Sequence, residues 1–326
     1  TGSRPRPLPD VDFGDRVWDS ERALGLSEVP DRLLVVGGGY VGLEMGSVYS
    51  ALGSEVTIVE EEERLLPEAD ADLARVLSKR VAEEVGEILA GTRVDAIGVQ
   101  GDEVRVTLGG ETNDGTDERP ADRVLVAIGR EPRSDDLGLE NTDVEPDDRG
   151  FIRVDAERRT DDESIFAVGD VTGGKLLAHE AIREGKVAAE VLAGEASAFD
   201  NRAVPAVVYT DPQVAWCGLT ERDAEEEGVE VEVRRFPWKA SGRALTLDGE
   251  EGLTKILFHP STGRVLGVGI VGRDAEALIA EAALAVEMGA VARDLAETVH
   301  PHPTLSETLG EAADLLLGGS IHLASG

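Results

Sequence analysis

The sequence HPHPTLSE at residues 300 to 307 combines side chains that could carry out acid–base chemistry. It holds His300 and His302, two of the five histidines of the chain, just ahead of Glu307. An imidazole exchanges protons near neutral pH, and a neighbouring carboxylate can fix its tautomer. Thr304 and Glu307 also have the T-x-x-E spacing of a helix capping box, and apolar residues follow at helical intervals. The local sequence favours this helix start and leaves open whether the segment also takes part in catalysis.

A glycine-rich stretch at residues 33 to 60, LLVVGGGYVGLEMGSVYSALGSEVTIVE, could bind a dinucleotide. It predicts a buried strand, a tight turn, a helix and a second strand that ends at Glu60. Gly37 makes the turn, Gly39 lets a pyrophosphate approach the backbone, and Gly42 allows close helix packing. A carboxylate at Glu60 would accept hydrogen bonds from a ribose 2′-OH and repel a 2′-phosphate. The motif therefore predicts NAD in preference to NADP, and the alternative is an α/β turn without a ligand.

A third candidate site lies in the sequence SIFAVGDVTGGKLLAHEA. We expect a buried strand from Ile165 to Val168, followed by Gly169 and Asp170, and a helix that begins near Leu177. Asp170 at the carboxyl end of a strand could hold a hydroxyl group of a cofactor, because open α/β sheets bind ligands at that edge. A Gly-Asp pair is also ordinary turn chemistry, so the motif alone is weak evidence.

The elements around these motifs change in character along the chain. The predicted strand Arg123 to Ile128 is followed by GREPR, which is similar to the TGSRP at residues 1 to 5, as if two nucleotide-binding units ended alike. From about Asn201, strand-like runs separated by Gly, Pro and Asp are followed by two helices. This pattern predicts an α+β domain with an antiparallel sheet.

The composition limits the classes of partner. The 326 residues carry 66 acidic and 32 basic side chains, a net charge of −34 that repels nucleic acid and anionic membranes. Because 41% of the residues are hydrophobic and fall in periodic blocks, we expect a folded protein with an acidic surface adapted to a saline cytoplasm. An ordinary acidic mesophilic protein is the alternative. No membrane span is evident, and the single cysteine, Cys217, is interpreted as a packing residue.

Five motifs together resemble one family. GGGYVGLEMGS, AIGREPR, IFAVGDV with LLAHEA, VYTDPQVAWCGLTE and HPHPTLSE, in this order and spacing, resemble the flavin-dependent disulfide reductases, most closely the dihydrolipoamide dehydrogenase branch. The resemblance covers essentially all 326 residues. It implies an α/β protein with a Rossmann-type NAD domain and a partial FAD domain, followed by an α+β interface (dimerisation) domain. The implied boundaries are 1–30 for the end of a first FAD segment, 31–132 for NAD binding, 133–200 for a second FAD segment and 201–326 for the interface domain.

The resemblance also implies an activity, the FAD-dependent oxidation of protein-bound dihydrolipoamide with reduction of NAD. His302 resembles the acid/base histidine of the family, Glu307 the carboxylate that orients it, and Pro303 a proline that follows a cis peptide bond. Pro301 departs from the alanine common in this branch, and His300 is not the catalytic histidine by this match. We expect Glu307 to be unable to hold His302 and cap its own helix with the same geometry.

Cofactor binding is implied for residues of the glycine turn and of three other segments. Glu44 resembles a carboxylate that pairs with a lysine beside the flavin and the redox cysteines, and that lysine is absent from this sequence. The residues that the resemblance assigns to NAD or FAD are Gly37, Gly38, Gly39, Tyr40, Val41, Gly42, Leu43, Glu44, Glu60, Val94, Gly129, Asp170, Leu176, Leu177, Ala178, His179, Thr1, Gly2 and Ser3. No metal site is implied.

The redox disulfide and the first FAD fingerprint of the family are absent from these residues, so we expect an N-terminally truncated chain that is inactive alone. The implied partners are a second copy of the chain, as in a homodimer, and the lipoyl domain of a 2-oxoacid dehydrogenase-type complex. Two alternatives stay open: a related NADH-linked flavin reductase that acts on another disulfide, and a nucleotide-binding or dimer-forming module without redox activity.

Overall fold

The computed structural model describes residues 1–110 and 113–323. Its strands are β1 Ser3–Pro5, β2 Val17–Trp18, β3 Arg32–Val36, β4 Glu55–Val59, β5 Glu87–Leu89, β6 Arg93–Gln100, β7 Glu103–Gly110, β8 Asn113–Ala121, β9 Arg123–Val126, β10 Arg130–Pro132, β11 Ala206–Val208, β12 Gln213–Gly218, β13 Glu232–Pro237, β14 Leu253–Phe258 and β15 Val265–Gly272. Its α-helices are α1 Ser20–Leu24, α2 Tyr40–Ala51, α3 Ala71–Glu84, α4 Ala178–Leu192, α5 Glu221–Glu227, α6 Gly242–Leu245, α7 Ala275–Met288, α8 Ala292–Glu297 and α9 Glu307–Leu317. None of the helices described is long and apolar enough to cross a membrane.

The chain divides into two compact units, one formed by residues 1–9 and 128–201 and the other by residues 10–127 and 202–326. In the larger unit, a parallel sheet has the strand order β2-β9-β3-β4-β5. The predicted strand, turn, helix and strand are confirmed as β3, α2 and β4, because β3 and β4 are apolar enough to be buried between layers. Strands β6, β7 and β8 form a separate antiparallel sheet.

The antiparallel sheet predicted for the last third of the chain is confirmed, with the strand order β11-β12-β15-β14-β13. Trp238, Phe236 and Phe258 fill the core beneath it. A Cβ at Gly252 or Gly272 would lie 2.3 Å from the Trp238 ring, so only glycine lets these strands approach the indole. Helices α7 and α9 contact this sheet, and the short helix α8 between them was not predicted.

In the smaller unit, the two similar segments noticed in the sequence pair with each other as antiparallel strands β1 and β10. The predicted strand from Ile165 to Val168 is wrong. Phe166 forms only an isolated bridge with Arg159, the Ala167 N–H donates to the Arg158 carbonyl, and the backbone is held by local turns. Asp170 therefore lies in the 3₁₀ turn Gly169–Thr172 and not directly after a strand.

The predicted helix start near Leu177 is confirmed, since Leu177 is the N-cap of α4. The predicted domain boundaries at residues 30, 132 and 200 stay predictions. The fold class is confirmed, with Rossmann-type and interface parts in the order that the sequence indicated.

Candidate functional site

The glycine turn between β3 and α2 has the geometry of a dinucleotide site. Gly37 has a φ of +108°, which favours glycine, and its N–H donates to the Val59 carbonyl at 2.8 Å. A Cβ on Gly42 would lie 1.9 Å from the Gly37 oxygen, so this position must be glycine for the helix to pack on the turn. A Cβ on Gly39 would meet no protein atom within 4 Å. The open space at Gly39, the N-cap of α2, fits a pyrophosphate approaching the helix N-terminus.

Glu60 lies beside this turn and supports it. Its Oε2 accepts the Gly38 N–H at 2.5 Å, and its Oε1 accepts the Glu62 N–H at 2.8 Å. The residue is buried. Each carboxylate oxygen has a second lone pair, so a ribose hydroxyl could still bind. Glu60 thus orders the turn in addition to the ribose role that the sequence predicted.

The other predicted cofactor residues of the larger unit lie at different depths. Leu43 is fully buried in the core, whereas Tyr40 and Val41 are partly buried at the start of α2, and Val94 lies on β6. Glu44 accepts the Tyr209 N–H at 2.9 Å through Oε1. Burial raises the pKa of Glu44, and the bond from Tyr209 opposes that rise.

In the smaller unit, predicted FAD residues meet around Asp170. The Ser3 hydroxyl donates to Asp170 Oδ2 and accepts a bond from Arg130 Nε at 2.6 Å. The Arg130 Nη2 also donates to the Ser3 carbonyl at 3.0 Å. This chain of bonds orients one oxygen of Asp170, and a carboxylate held in this way has lone pairs left to accept bonds from a polyol chain. The sequence did not single out Arg130, although the similarity of its segment to TGSRP was a signal.

Glu184 supports the Asp170 turn from α4. Its Oε2 accepts the Gly169 N–H at 2.6 Å, and its Oε1 accepts Arg158 Nη1 at 2.8 Å. No sequence pattern singled out Glu184, because its two partners lie 15 and 26 positions away in the chain. The remaining predicted FAD residues lie in the same unit: Thr1 is exposed, Gly2 has a positive φ, Leu176 has a φ of +57°, and Ala178 and His179 begin α4. Gly129, which the sequence associated with NAD binding, also has a positive φ.

His302 and Glu307 form the pair that the sequence predicted. The His302 Nδ1 lies 2.8 Å from Glu307 Oε1, and the imidazole is 74% exposed. The second oxygen, Oε2, accepts the Thr304 N–H at 2.7 Å. The His302–Pro303 peptide bond is cis, as expected. Burial alone would raise the pKa of Glu307, but the bonds from Thr304 and His302 outweigh it and hold that pKa below its usual value.

The expected capping box is wrong. Helix α9 begins at Glu307, so Thr304 is not its N-cap, and the Thr304 hydroxyl donates to the Pro301 carbonyl. Only the Glu307 half of the capping box forms. Glu307 does not cap its own helix, whose N-cap is Ser306; one of its oxygens accepts the Thr304 N–H and the other lies against His302 Nδ1.

A buried hydrogen-bond chain, which the sequence did not reveal, ties this helix start to the sheet. Trp238 Nε1 donates to Thr254 Oγ1 at 2.9 Å. The Thr254 hydroxyl donates in turn to Thr308 Oγ1 at 2.8 Å, and the Thr308 hydroxyl donates to the Leu305 carbonyl at 2.7 Å. Each hydroxyl donates once in this direction, so the orientation of every member is fixed. Thr308, the residue next to Glu307, is thereby anchored to Thr254 on β14.

Comparison with known proteins identifies the family of the chain. The profile of the pyridine nucleotide-disulphide oxidoreductase family matches residues 1–185, and the profile of its dimerisation domain matches residues 204–313. The chain belongs to this family. Members of the pyridine nucleotide-disulphide oxidoreductase family use FAD and NAD.

Curated relatives in the family carry the name dihydrolipoyl dehydrogenase. The protein from Thermus scotoductus is 48% identical over 99% of this chain and 70% of its own length. That from Haloferax volcanii is 49% identical over 99% of this chain and 68% of its own length. The chain thus spans about two thirds of the length of such relatives, and the presence of relatives from salt-loving archaea agrees with the predicted adaptation to salt.

Solved structures of the family have the same fold. LpdA from Mycobacterium tuberculosis superposes with a TM-score of 0.89, at 33% identity, over 97% of this chain and 68% of its own. The HOCl-induced flavoprotein disulfide reductase RclA from Escherichia coli gives a TM-score of 0.86 at 29% identity, over 97% of this chain and 72% of its own.

The Cys217 thiol is buried in the core, as predicted for a packing residue.

Proposed function

We propose that this chain supplies the NAD-binding unit, part of the FAD site and the acid/base pair of a dihydrolipoyl dehydrogenase, which oxidises protein-bound dihydrolipoamide and reduces NAD. The observation that carries the proposal is the contact of 2.8 Å between His302 Nδ1 and Glu307 Oε1, on a ring that is 74% exposed. Relatives at 46% to 49% identity with the dihydrolipoyl dehydrogenase name support it.

The geometry of the pair assigns the protons. An ionised Glu307 accepts the hydrogen on Nδ1, which leaves the lone pair of His302 on Nε2. Nε2 is then the base that takes a proton from a substrate thiol and later releases it to solvent, because oxidation of the dithiol by NAD sets one proton free. When bound, FAD carries the electron pair from the sulfur groups to NAD. With Cys217 as its single cysteine, the chain cannot form the redox disulfide from its own residues.

The residues that would hold the cofactors follow from the two turns. Gly37, Gly39 and Gly42 would admit the pyrophosphate of NAD at the start of α2, with Glu60 beside its ribose. Asp170, oriented by Ser3, would bind the polyol chain of FAD, and the backbone of residues 176–179 would face the flavin. The selectivity for NAD over NADP belongs to this proposal.

We further assign the homodimer to an exposed apolar face. Leu284 and Met288, at successive turns of α7, are 62% and 74% exposed, and Val299 is 94% exposed beside His300. Exposed apolar side chains of this size are typical of an interface. A match to a dimerisation domain over residues 204–313 supports a second copy of the chain as the partner. A single sedimenting monomer for the chain at micromolar concentration and molar salt would contradict this assignment.

The catalytic proposal is tested in a fusion protein that joins the part of the Haloferax volcanii relative not matched by this chain to the 326 residues. We expect dihydrolipoamide-dependent reduction of NAD, lowered about 100-fold or more in kcat by His302→Gln. The matched control is His259→Gln, because His259 lies in a surface turn outside the site. Wild-type turnover that survives His302→Gln unchanged would remove His302 from the mechanism.

The likeness to RclA favours one second candidate, a flavin reductase that acts on another disulfide. The same fusion protein separates the two, since it would then oxidise NADH with a different disulfide and fail with lipoamide. The lipoyl domain as a partner and the cytoplasm as the location stay part of the first proposal. The acidic composition, with a net charge of −34, supports an intracellular saline medium.

A further inference from the structure

We infer that Glu281 and His300 form a positioning pair that sets where His302 lies. The inference rests on the function proposed above and adds residues to it. The His300 side chain is only 9% exposed, and its Nε2 lies 2.8 Å from Glu281 Oε1 on α7. An ionised carboxylate can only accept, so Nε2 carries the hydrogen in this contact.

The opposite side of the His300 ring packs against α9. A Cβ on Gly310 would lie 3.3 Å from His300 Nδ1 and 3.5 Å from its Cε1, so the ring rests on the bare backbone of this helix. Gly310 is buried and lies one turn after Glu307. The imidazole of His300 is therefore held between the carboxylate of α7 and the helix that carries Glu307.

This contact anchors one end of a short segment. The other end is anchored where the Thr304 N–H donates to Glu307 Oε2 and where Thr308 joins the buried chain to Thr254. His302 stands between the two anchors, largely exposed, with Glu307 as its side-chain partner. Because its own ring has little packing around it, its position depends on the backbone on both sides.

The position of Glu281 on α7 distinguishes this pair from an ordinary buried histidine. Glu281 lies on the same face of α7 as Leu284 and Met288, the exposed residues assigned above to the dimer interface. The pair thus connects that face to the segment carrying His302. If it only filled the core, its loss would lower stability without altering the His302 ring. If it positions His302, the contact between His302 and Glu307 must weaken as well.

The test uses the 326-residue chain with ¹⁵N-labelled histidine, whose ring signals report the tautomer. Signals are assigned with His302→Gln. In the unaltered chain, we expect neutral His302 to carry its hydrogen mainly on Nδ1. Glu281→Ala is expected to lower the ratio of the Nδ1–H to the Nε2–H form about three-fold, because the Glu307 contact is loosened. Glu281→Gln keeps an acceptor for His300 and should preserve the ratio. Glu297→Gln, on a surface ion pair with Arg293, is the matched control.

Activity in the fusion protein gives the second measurement. Glu281→Ala should lower kcat about ten-fold with unchanged NAD binding, and Glu281→Gln should restore most of it. An unchanged His302 tautomer ratio in Glu281→Ala, or an equal loss in Glu281→Gln, overturns the inference. If the unaltered fusion protein shows no lipoamide activity, the proposed function fails, and the tautomer ratio still decides the positioning role.

Discussion

Replacing Glu307 with Gln should reverse the tautomer of His302. The carboxylate now accepts two bonds, from the Thr304 N–H at 2.7 Å and from His302 Nδ1 at 2.8 Å. A glutamine amide has one oxygen and one NH₂ group, and the backbone N–H of Thr304 can only donate. The amide oxygen must therefore face Thr304, which turns the NH₂ toward His302. Nδ1 becomes an acceptor, and the hydrogen of the neutral ring moves to Nε2.

The size of the effect on kcat follows from the loss of the lone pair on His302 Nε2. A ring with its hydrogen on Nε2 cannot take a proton from a thiol at that atom, so kcat should fall by the whole contribution of general base catalysis, about 10² to 10⁴. NAD affinity should be unchanged, because the glycine turn is untouched. Stability should fall by only about 1 kcal/mol, since a charged acceptor at the start of α9 becomes a neutral one.

The assay combines ring ¹⁵N signals of His302 in the 326-residue chain with kcat in the fusion protein. Glu311→Gln is the matched control, because Glu311 lies one turn further along α9 and contacts a different histidine, His322, at 2.6 Å. Glu311→Gln should leave the His302 signals and kcat close to those of the unaltered protein. An Nδ1–H tautomer that persists in Glu307→Gln would refute the reasoning.

Two other predictions concern the larger unit, and a third concerns the net charge of the whole chain. Glu60→Ala should weaken the binding of both NAD and NADP, because the Gly38 N–H loses its acceptor. The same substitution should reduce the difference in affinity between NAD and NADP. Calorimetry that finds equal affinities for the two in the unaltered chain refutes the NAD assignment. Lys255 is fully buried among Asp70, Asp72 and Glu221. The substitution Lys255→Met should therefore lower the free energy of unfolding by about 3 kcal/mol, measured by denaturant unfolding. Burial alone would raise the pKa of Asp72, but bonds from Arg235 and Lys255 outweigh it and lower that pKa. The stabilisation that ionised Asp72 contributes is therefore complete above its unfolded-state pKa and is lost as the pH falls through its folded-state pKa. This loss of stability with falling pH should be smaller in Lys255→Met. Finally, with a net charge of −34, the melting temperature should fall as molar salt is diluted, and an unchanged value contradicts adaptation to salt.

The parts of the fold that the sequence predicted are those whose signals are local. The strand, turn and helix at residues 33 to 60 needed only periodicity and three glycines within one stretch, and the structure confirms them as β3, α2 and β4. The strand expected at Ile165 to Val168 failed for the same reason. Its apolar run is local, but Val168 is 36% exposed and the backbone bonds lie within neighbouring turns. Periodicity cannot distinguish such a segment from a buried strand.

The contacts that the sequence could not predict join distant residues. Ser3 and Asp170 are 167 positions apart, and Lys255 and Asp72 are 183 apart, so neither pair leaves a spacing pattern. A lysine within the apolar strand LTKILF did carry a signal, because a fully buried ammonium group requires carboxylates nearby. It could indicate that partners exist, but only the fold brings Asp70 and Asp72 of the α3 start to β14.

The helix start and the acid/base pair at HPHPTLSE depend on the same carboxylate. Glu307 is the first residue of α9, where free N–H groups and the helix dipole favour negative charge. Burial opposes that charge, and the bonds from Thr304 and His302 together with the nearby His322 outweigh the burial, so the pKa of Glu307 lies below its usual value. A carboxylate kept ionised in this way can accept the hydrogen of His302 Nδ1 at every pH at which a thiol must be deprotonated. The bond that fixes the backbone ahead of α9 therefore also keeps Glu307 in the state that orients His302.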